Sequence, residues 1–529
     1  MRRLAPLPIA VYLVLAAVTF LDYGLTWDEQ NLLSYGRKLV RWYASFGADA
    51  AATQWGDHQL YGGFFELLAY AAERLSRLGV YETRHLLNTV FGAIALGAAF
   101  GLGRALAGPL GGFLSSLFLL VHPVFYGHSF NNPKDIPFAA LYPLALLVAA
   151  KAVLRPKWSG MWGALGVGAA IGLALGVRVG ALILLPCIAG LWIAVAVLRA
   201  RGLAHVGVKL AVTAIVAWLV MIALWPYAQL SPVRNPLAAL QAFQGFHGEY
   251  LSLFEGRFLR ADELPRHYLP KWLAITWPDV YFVALPLGFV LPVIAFLRQH
   301  APRRRRERAL VAVWLAAVTL CPILWVVAQR PPLYDGMRHF LFVVPGLATL
   351  AGVGAALAWR GLRSWRTRGL AAAGLLTLVA PTVRDMIELH PYQCVYFNRL
   401  VGGLQGADGR YETDYWGNSY KEGVEWVIER YQGPYRAPLG VANTSSCILT
   451  SYFLEKGDRH GRFVPVCDQF DGPPHIVLTT TRRLRHQGIP GALVHLVTRQ
   501  GVPLCYVFQV RRPWPADSDE PPPRRRPRG

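Results

Sequence analysis

Long apolar runs are the feature that most constrains how this 529-residue chain can fold. A run of about 18 or more apolar residues is long enough to cross a bilayer as a helix. With 54% hydrophobic residues and a mean hydropathy of +0.33, the composition excludes an ordinary soluble protein. We predict a polytopic α-helical membrane protein with about eleven transmembrane helices. They lie near residues 6–22, 86–104, 109–127, 136–154, 160–177, 180–198, 208–227, 279–297, 309–328, 339–359 and 369–388.

Two of these predictions leave an alternative open. The first run follows Arg2 and Arg3 and resembles a signal sequence, but the many later spans favour an uncleaved signal anchor. The runs 160–177 and 180–198 are weaker, and they are also compatible with one re-entrant hairpin.

The distribution of lysine and arginine predicts the orientation of the spans. If the N-terminus is cytoplasmic, the inside segments collect about eighteen of these residues by the positive-inside rule. The short outside loops then hold only Lys134, Arg178, Arg330 and Arg338. The net charge of +22 is therefore expected to face anionic lipid, and nucleic-acid binding is disfavoured.

The chain is predicted to contain three regions. Residues 1–388 form the transmembrane domain, with long outer loops at 23–84 and 228–278. Residues 389–512 mix polar and apolar residues with turn signals, which predicts a small extracytoplasmic α/β domain. Its candidate helices are 421–431 and 445–456, and its candidate strands are 438–442, 476–480 and 504–510. Residues 513–529 are rich in Pro and Arg and are expected to be disordered.

Two details of the outer regions remain open. Residues 61–75 repeat apolar residues at helical spacing, which predicts either a helix lying in the membrane interface or one packed on the bundle. Cys394, Cys447, Cys467 and Cys505 lie where disulfides are permitted, but their spacing does not determine the pairing.

Acidic residues recur at the predicted outer face. Asp28 and Glu29 follow the first span in Thr26-Trp27-Asp28-Glu29, and Asp135 ends a short loop after the third span. In a chain this apolar, carboxylates at one membrane face indicate a reaction or transport site. The alternative is that they are solvated charges at loop ends.

Several cations are predicted to share that face. They are Lys134, Arg178 and Arg338, with His339 beside the last of these. Cations at a membrane boundary are often snorkelling anchors, but as a group they also suit a phosphate head group. Transfer of a sugar from a lipid phosphate needs a base for the incoming hydroxyl and positive charge for the departing phosphate. Carboxylates and cations provide both without a metal.

Three short motifs together resemble a known family. Thr26-Trp27-Asp28-Glu29, Asn132-Pro133-Lys134-Asp135 and Arg338-His339-Phe340 look like the bacterial protein-O-mannosyltransferase and aminoarabinose-transferase-like enzymes of the GT-C class. The resemblance covers about residues 1 to 390. It implies inverting single displacement from a polyprenyl-phosphate sugar to an acceptor hydroxyl on a glycan, lipid or protein. The reaction would occur at the outer face of the bacterial cytoplasmic membrane, with the N-terminus inside, the C-terminal domain periplasmic and no cofactor.

The resemblance also implies roles for individual residues. Asp28 would be the general base, Glu29 would position the acceptor or the base, and Asp135 would be the second acid. The donor phosphate would be bound by Lys134, Arg178, Arg338 and His339, with no metal. The outer domain is expected to govern acceptor choice rather than chemistry.

The sequence departs from the family in the first outer loop. Many members carry a His-Pro-Pro-Leu-like motif there, whereas this chain has Asp57-His58-Gln59-Leu60-Tyr61, so His58 receives no role. No β-trefoil insertion of the MIR type is visible, which argues against a eukaryote-type protein mannosyltransferase. Two other classes of function remain as alternatives: a secondary transporter, and a non-catalytic membrane scaffold. The transporter is disfavoured because the acids lie in outer loops and no inverted repeat is visible.

Overall fold

A computed structural model describes residues 5–200, 202–244, 251–298, 302–432, 438–467 and 475–510. The predicted Pro/Arg-rich tail, 513–529, lies outside the described residues. The helices of the N-terminal three quarters are α1 Leu7–Thr19, α2 Trp27–Ala44, α3 Phe64–Leu75, α4 Val80–Leu120, α5 Pro123–Asn131, α6 Asp135–Leu154, α7 Met161–Leu175, α8 Leu184–Leu198, α9 Ala204–Leu224, α10 Pro226–Leu230, α11 Arg234–Gln244, α12 Tyr268–Thr276, α13 Asp279–Leu297, α14 Arg303–Gln329, α15 Val344–Gly361 and α16 Trp365–Glu388. A two-stranded antiparallel hairpin, β1 Leu251–Phe254 and β2 Arg257–Arg260, precedes α12.

The C-terminal region adds three helices and one mixed sheet. The helices are α17 Gly403–Ala407, α18 Tyr420–Arg430 and α19 Ile448–Gly457. The strands are β3 Leu439–Asn443, β4 Phe463–Pro465, β5 Ile476–Thr480, β6 Gly491–Arg499 and β7 Val502–Val510, in the spatial order β4-β3-β5-β7-β6. β3 runs parallel to β4 and β5, whereas β7 runs antiparallel to β5 and β6.

Eight helices in the described part of the chain are long and apolar enough to cross a membrane. Six of them are α4, α6, α9, α13, α14 and α16. The other two are α8 and α15, and only these two are extended by a preceding 3-10 turn. Two shorter apolar helices, α1 and α7, accompany them. α7 and α8 are separate helices joined through Arg178, which is compatible with two spans and with a re-entrant hairpin. The number of membrane crossings stays a prediction.

The second and third predicted spans are the two arms of α4, which meet at a sharp break and fold back on one another. A side chain at Gly112 would lie 2.9 Å from Phe100 O, which places the two arms side by side. The kink lies at Ala107 and Gly108, where Gly108 adopts φ 68° before Pro109. The predicted continuation to residue 127 is wrong, because α4 ends at Leu120 and a new helix begins at Pro123. The ring nitrogen of His122 accepts a hydrogen bond from Phe125 N at 3.3 Å and so caps this new helix. An apolar run alone does not show such a turn.

Two deeply buried helices begin at the end of the bundle that the C-terminal region contacts. The spans that start at Asp135 and Arg338 are each 83% buried within the protein, whereas α16 is only 6% buried. α16 therefore lies at the periphery, where lipid covers an apolar side chain, while α6 and α15 form the centre of the bundle. The charged residues that begin the two central spans consequently meet at the centre of this end of the bundle.

The first outer segment is more helical than the sequence predicted. α2 starts directly at Trp27, and α3 covers most of the predicted 61–75 helix. Arg84 at the start of α4 pairs with Glu66 of α3, and its Nη1 lies 2.9 Å from Glu73 Oε1. Since these groups are buried, α3 is packed on the bundle.

The C-terminal region folds as the predicted small α/β unit, with two additions. The sequence analysis missed β4 and β6; β6 is largely exposed and lacks a strong apolar pattern. A disulfide joins Cys447 to Cys467, while Cys394 and Cys505 are free thiols.

A tight loop attaches this unit to the end of the bundle where α2 begins. The Asp414 carboxylate accepts hydrogen bonds from the backbone N–H groups of Gly417 at 3.1 Å, Asn418 at 3.0 Å and Ser419 at 2.7 Å. The loop presses on the segment after α1, and any side chain at Gly24 would overlap the carbonyl oxygen of Asn418. The C-terminal region is therefore in direct contact with the segment that leads into α2.

Candidate active site

A cavity of about 640 Å³ lies where α2, α6 and the start of the Arg338 span meet the C-terminal region. One part of its wall is apolar and comes from or adjoins the membrane spans: Phe138, Val179, Trp325, Leu333, Phe340 and Phe342. The other part is charged or polar and includes Asp28, Asp57, His58, Lys134, Arg178, Asp335, Arg338, His339, Thr444, Ser445, Arg482 and Arg483. The cavity thus joins an apolar surface to a charged one at the ends of the candidate membrane spans.

Asp28 lines this cavity from the first turn of α2. Its Oδ2 lies 3.3 Å from Lys134 Nζ and 3.8 Å from Arg338 Nη1. Burial alone raises the pKa of the Asp28 carboxyl, but the nearby Lys134 and Arg338 outweigh burial and hold this pKa below its ordinary value. Asp28 is therefore an ionised carboxylate at neutral pH.

Glu29 points away from the cavity. Its Oε2 accepts a hydrogen bond from Thr26 N at 2.8 Å, and its Oε1 lies 2.9 Å from His85 Nε2. The first contact belongs to a capping box, which fixes the start of a helix. Of the two roles considered for Glu29, this geometry favours positioning of the base, because Asp28 lies in the same turn.

Asp135 lies behind two arginines rather than in the cavity wall. It pairs with Arg178, and its Oδ2 lies 3.6 Å from Arg338 Nη1. Asn132 fixes it from both sides: Asn132 Nδ2 donates to Asp135 Oδ2 at 2.9 Å, and Asn132 Oδ1 accepts from Asp135 N at 2.9 Å. The motif Asn132-Pro133-Lys134-Asp135 therefore orients Arg178 and Arg338 towards the cavity.

Tyr61 brings the first outer loop to these cations. Its ring centroid lies 5.2 Å from Lys134 Nζ and 5.5 Å from Arg178 Cζ, within the range of cation–π contacts. The loop lies directly on the end of α7, where Phe64 N donates to Gly176 O at 3.0 Å. A side chain at Gly62 would overlap the Gly176 backbone, so glycine is needed for this close approach.

Arg338 is held by a strained turn. Asp335 and Gly336 adopt φ 55° and φ 67°, and Asp335 Oδ2 accepts from Arg338 Nε at 3.2 Å. The guanidinium carbon lies 4.8 Å from the centroid of the Trp416 ring, which comes from the C-terminal region. A left-handed conformation at a residue other than glycine costs energy and often marks a functional site. Here it keeps Arg338 in one orientation although its side chain is only 5% exposed.

His339 also lines the cavity, next to Arg338. Its ring stacks edge-on against Tyr334, with centroids 4.7 Å apart. His58, to which the sequence analysis gave no role, lies in the same wall. Burial lowers the pKa of His58, and the charge of Lys134 lowers it further, so its imidazole is neutral at pH 7. His58 Nε2 has no hydrogen-bond partner among the residues that the structure describes.

The structure adds two ionic residues that sequence reasoning missed. Asp335 lies in the same short segment as Arg338, and its proximity to that motif was an available signal. Arg482 follows β5 far along the chain, and its Nη1 lies 3.2 Å from Asp335 Oδ1. No spacing in the sequence connects it to Asp28. The C-terminal region therefore supplies part of the cavity wall, and its expected role in acceptor choice stays a prediction.

The charge balance of the site favours an anion. The connected set contains the cations Lys134, Arg178, Arg338 and Arg482 and the acids Asp28, Asp135 and Asp335. One positive charge remains after each acid is paired with one cation. A bound anion that also contacts the paired cations would interact with further positive charge. Within the described ranges, no group of three or more His, Cys, Asp or Glu side chains is arranged to hold a metal ion.

The chain is similar to one family model and to several solved structures. Residues 81–225 match the family model described as dolichyl-phosphate-mannose-protein mannosyltransferase. The crystal structure of ArnT from Cupriavidus metallidurans in the apo state is 16% identical, with a TM-score of 0.51 over 95% of this chain and 97% of that chain. The oligosaccharyltransferase of Archaeoglobus fulgidus in the apo form is 12% identical, with a TM-score of 0.49 over 85% of this chain and 64% of that chain. No curated protein matches the chain.

These similarities confirm two predictions. The fold is that of ArnT, a bundle of membrane helices followed by a small C-terminal α/β unit. The resemblance inferred from three motifs is confirmed by the family match and the ArnT fold. The matched range 81–225 contains Lys134, Asp135 and Arg178 but neither Asp28 nor Arg338. Hence the domain limits at 388 and 512 and the roles of single residues stay predictions.

Proposed function

We propose that this protein is a membrane glycosyltransferase that moves a sugar from a polyprenyl-phosphate donor to an acceptor hydroxyl. The observation that carries the proposal is one cavity in which the ionised Asp28 and several fixed cations adjoin an apolar wall. Such a cavity accommodates a lipid chain, a phosphate and a nucleophile side by side. The matched family model names the same class of donor, a sugar linked to a polyprenyl phosphate.

The cations bind and stabilise the donor phosphate in this proposal. A polyprenyl-phosphate sugar is a phosphodiester with one negative charge, and its departure as a phosphate monoester adds about one more. Lys134, Arg178 and Arg338 line the cavity and are already oriented by Asp28 and Asp135. Fixed positive charge in a water-poor site lowers the barrier most where charge develops during the reaction. His339 completes this phosphate-binding wall.

Asp28 acts as the general base. The acceptor oxygen attacks the anomeric carbon, and the bond from that carbon to the phosphate oxygen breaks with its electron pair leaving on phosphate. Asp28 takes the proton from the acceptor hydroxyl. Because one displacement forms and breaks the two bonds, the configuration at the anomeric carbon is inverted. When donor phosphate shares Lys134 and Arg338, these cations stabilise the Asp28 carboxylate less, and its basicity rises as the substrate binds.

The reaction is placed at the outer face of a bacterial cytoplasmic membrane, with the N-terminus inside. The predicted excess of Lys and Arg in inside loops supports this orientation. The acceptor is a glycan, lipid or protein hydroxyl that reaches the cavity from the side of the C-terminal region. Glu29 and Asp135 are positioning residues: one fixes the start of α2 and the other fixes the arginines.

A transfer assay on the purified protein in lipid nanodiscs tests this function. Radiolabelled undecaprenyl-phosphate hexoses and pentoses are supplied with an envelope extract as acceptor, and labelled product is measured for the wild type and Asp28→Asn. Asp49→Asn is the matched control, because Asp49 also lies in the first outer segment but pairs with the exposed Arg41. We expect transfer by the wild type and the control and a loss of about a hundred-fold or more in Asp28→Asn. Equal transfer by Asp28→Asn would favour a scaffold, and donor movement without product would favour a transporter.

A further inference from the structure

The C-terminal ends of two parallel strands form one wall of the cavity. β3 ends at Asn443 and is followed by Thr444 and Ser445, while β5 ends at Thr480 shortly before Arg482. The two strands are parallel neighbours, so both of their carboxyl ends reach the same edge of the sheet. Ligands of open α/β sheets bind at this edge. Thr444, Ser445 and Arg482 all line the cavity.

Arg482 is fixed in one orientation before any ligand binds. Its Nη1 donates to Tyr415 O at 2.7 Å and lies 3.2 Å from Asp335 Oδ1. The guanidinium carbon lies 4.0 Å from the centroid of the Trp27 ring, and the side chain is only 9% exposed. A guanidinium ordered in this way loses little freedom when it forms further hydrogen bonds.

The hydroxyl groups beside Arg482 are also ordered. Tyr420 OH lies 3.3 Å from Thr444 Oγ1 and 3.1 Å from Ser445 Oγ. Thr444 Oγ1 is in turn 2.7 Å from Thr479 Oγ1. Each hydroxyl both donates and accepts, so this network complements the hydroxyl groups of a sugar ring.

The apolar, cationic and hydroxyl-bearing parts of the cavity wall follow one another in the same order as the chemical groups of a lipid-linked sugar. Apolar residues such as Phe138 and Phe342 come from the membrane spans, and the cations of the phosphate-binding wall lie at the outer ends of those spans. The strand ends of the C-terminal region follow on the outer side. A polyprenyl-phosphate sugar has the sequence apolar chain, phosphate, sugar, so its sugar meets the strand ends when its phosphate meets the cations.

We propose that Arg482, Thr444 and Ser445 bind the hydroxyl groups of the transferred sugar and make the C-terminal region part of the donor site. This inference rests on the proposed function. The contact between Arg482 and Trp27 links the sugar-binding wall to the residue directly before Asp28, so a bound sugar is positioned relative to the base. Arg482 is thus a specificity-determining residue supplied by the C-terminal region.

Binding of a sugar-free lipid and of two sugar-bearing lipids to the full-length protein in nanodiscs tests the proposal. Undecaprenyl phosphate without sugar reports only on the phosphate and lipid sites, and undecaprenyl-phosphate glucose and mannose add the sugar. We expect the wild type to prefer at least one of the sugar-bearing lipids, and Arg482→Gln to reduce the ratio of the two dissociation constants by about tenfold. Arg482→Lys should reduce it less, and Ser445→Ala should reduce it by a few-fold. The affinity of Arg482→Gln for bare undecaprenyl phosphate should fall by a smaller factor than its affinity for the preferred sugar-bearing lipid, because Lys134, Arg178 and Arg338 remain in the cavity wall.

Arg499→Gln is the matched control. Arg499 also lies in the C-terminal region and is also fixed by a backbone carbonyl, since its Nε donates to His390 O at 2.9 Å, but it does not line the cavity. The ratio of the two dissociation constants should be unchanged in this variant.

Three results would overturn the proposal. They are a wild-type protein that does not distinguish the sugar-bearing lipids from bare undecaprenyl phosphate, an Arg482→Gln variant that keeps the wild-type ratio, and one that weakens both lipids equally. The last result would show that Arg482 only supports Asp335. Failure of the wild type to bind even bare undecaprenyl phosphate would contradict the proposed function itself. This result differs from the three above, which contradict only the role of Arg482 and its neighbours in sugar binding.

Discussion

Replacing Arg338 with glutamine removes the cation that lies near all three acids of the site. Arg338 lies 3.8 Å from Asp28, 3.6 Å from Asp135 and 3.0 Å from Asp335. The change keeps a polar side chain of moderate length but removes one positive charge. We expect it to reduce kcat by slowing departure of the phosphate, and the size of this effect follows from the geometry.

The magnitude is set by the charge that develops on the leaving phosphate. Two unit charges about 4 Å apart interact by about 4 kcal/mol at an effective dielectric constant of about 20. If roughly half of a unit charge has developed in the transition state, loss of Arg338 raises the barrier by about 2 kcal/mol, or about thirtyfold in kcat. Arg338→Lys keeps the charge and should lose only a few-fold.

A second consequence concerns pH. Arg338 is one of the two cations that hold the pKa of Asp28 below its ordinary value against the effect of burial. Without it, this pKa rises, and the base is protonated at higher pH than in the wild type. The acid limb of the pH profile of kcat should therefore move to higher pH in Arg338→Gln.

Destabilisation is the competing explanation, because breaking a buried ion pair by removing one partner costs about 3–5 kcal/mol. The double variant Arg338→Gln/Asp335→Asn removes one charge of each sign and should recover much of the thermal stability in detergent. It should not recover kcat, measured with a radiolabelled polyprenyl-phosphate sugar. If the double variant regains wild-type transfer, Arg338 acts through the fold and the phosphate-binding role is refuted.

Three further predictions follow from other parts of the site. Glu29→Ala removes the capping box and should lower the free energy of unfolding by about 1–2 kcal/mol. It should also reduce kcat by a larger factor than it changes KM. An unchanged kcat would contradict the positioning role of Glu29. Burial raises the pKa of Glu412 to about 7, opposed by Arg482 and reinforced by Asp335. The folded state therefore holds a proton that the unfolded state releases, and the free energy of unfolding falls as pH rises from about 4.5 to 7. Glu412→Gln should therefore raise the apparent Tm at pH 8 but not near pH 4. An equal shift of Tm at both pH values would refute this. Gly62→Ala should displace Tyr61 from Lys134 and Arg178 and weaken binding of bare undecaprenyl phosphate, whereas unchanged binding would show that the Tyr61 contact is dispensable.

Composition and periodicity were sufficient for the membrane bundle. Apolar length predicts helices because a segment in lipid must satisfy its own backbone hydrogen bonds, and this constraint does not depend on its neighbours. The same reasoning failed at His122-Pro123, where a local cap ends one helix and begins another within an apolar run. It also missed β6, which is mostly exposed and pairs with β7 without a strong apolar pattern.

The site was only partly accessible to sequence reasoning. Asp28, Lys134, Arg178, Arg338 and His339 lie at span ends on the predicted outer face, and the structure lines one cavity with all five. Successive spans bring their ends to the same end of the bundle, so the positions of charged residues along the sequence were sufficient to predict that these five lie near one another. Their pairing was not readable, because which acid meets which cation depends on side-chain distances across different helices.

Tertiary structure alone decided how the C-terminal region contributes. Arg482 follows Asp28 by more than four hundred positions, yet it stacks on Trp27 and pairs with Asp335 because the ends of β3 and β5 face the bundle. The sequence determined that the chain spans a membrane and carries acids and cations at one face, since hydrophobic length and charge are local properties. The folded chain determined which of these charges neutralise one another and which remain for a ligand, because electrostatic energy depends on separation in space and on burial.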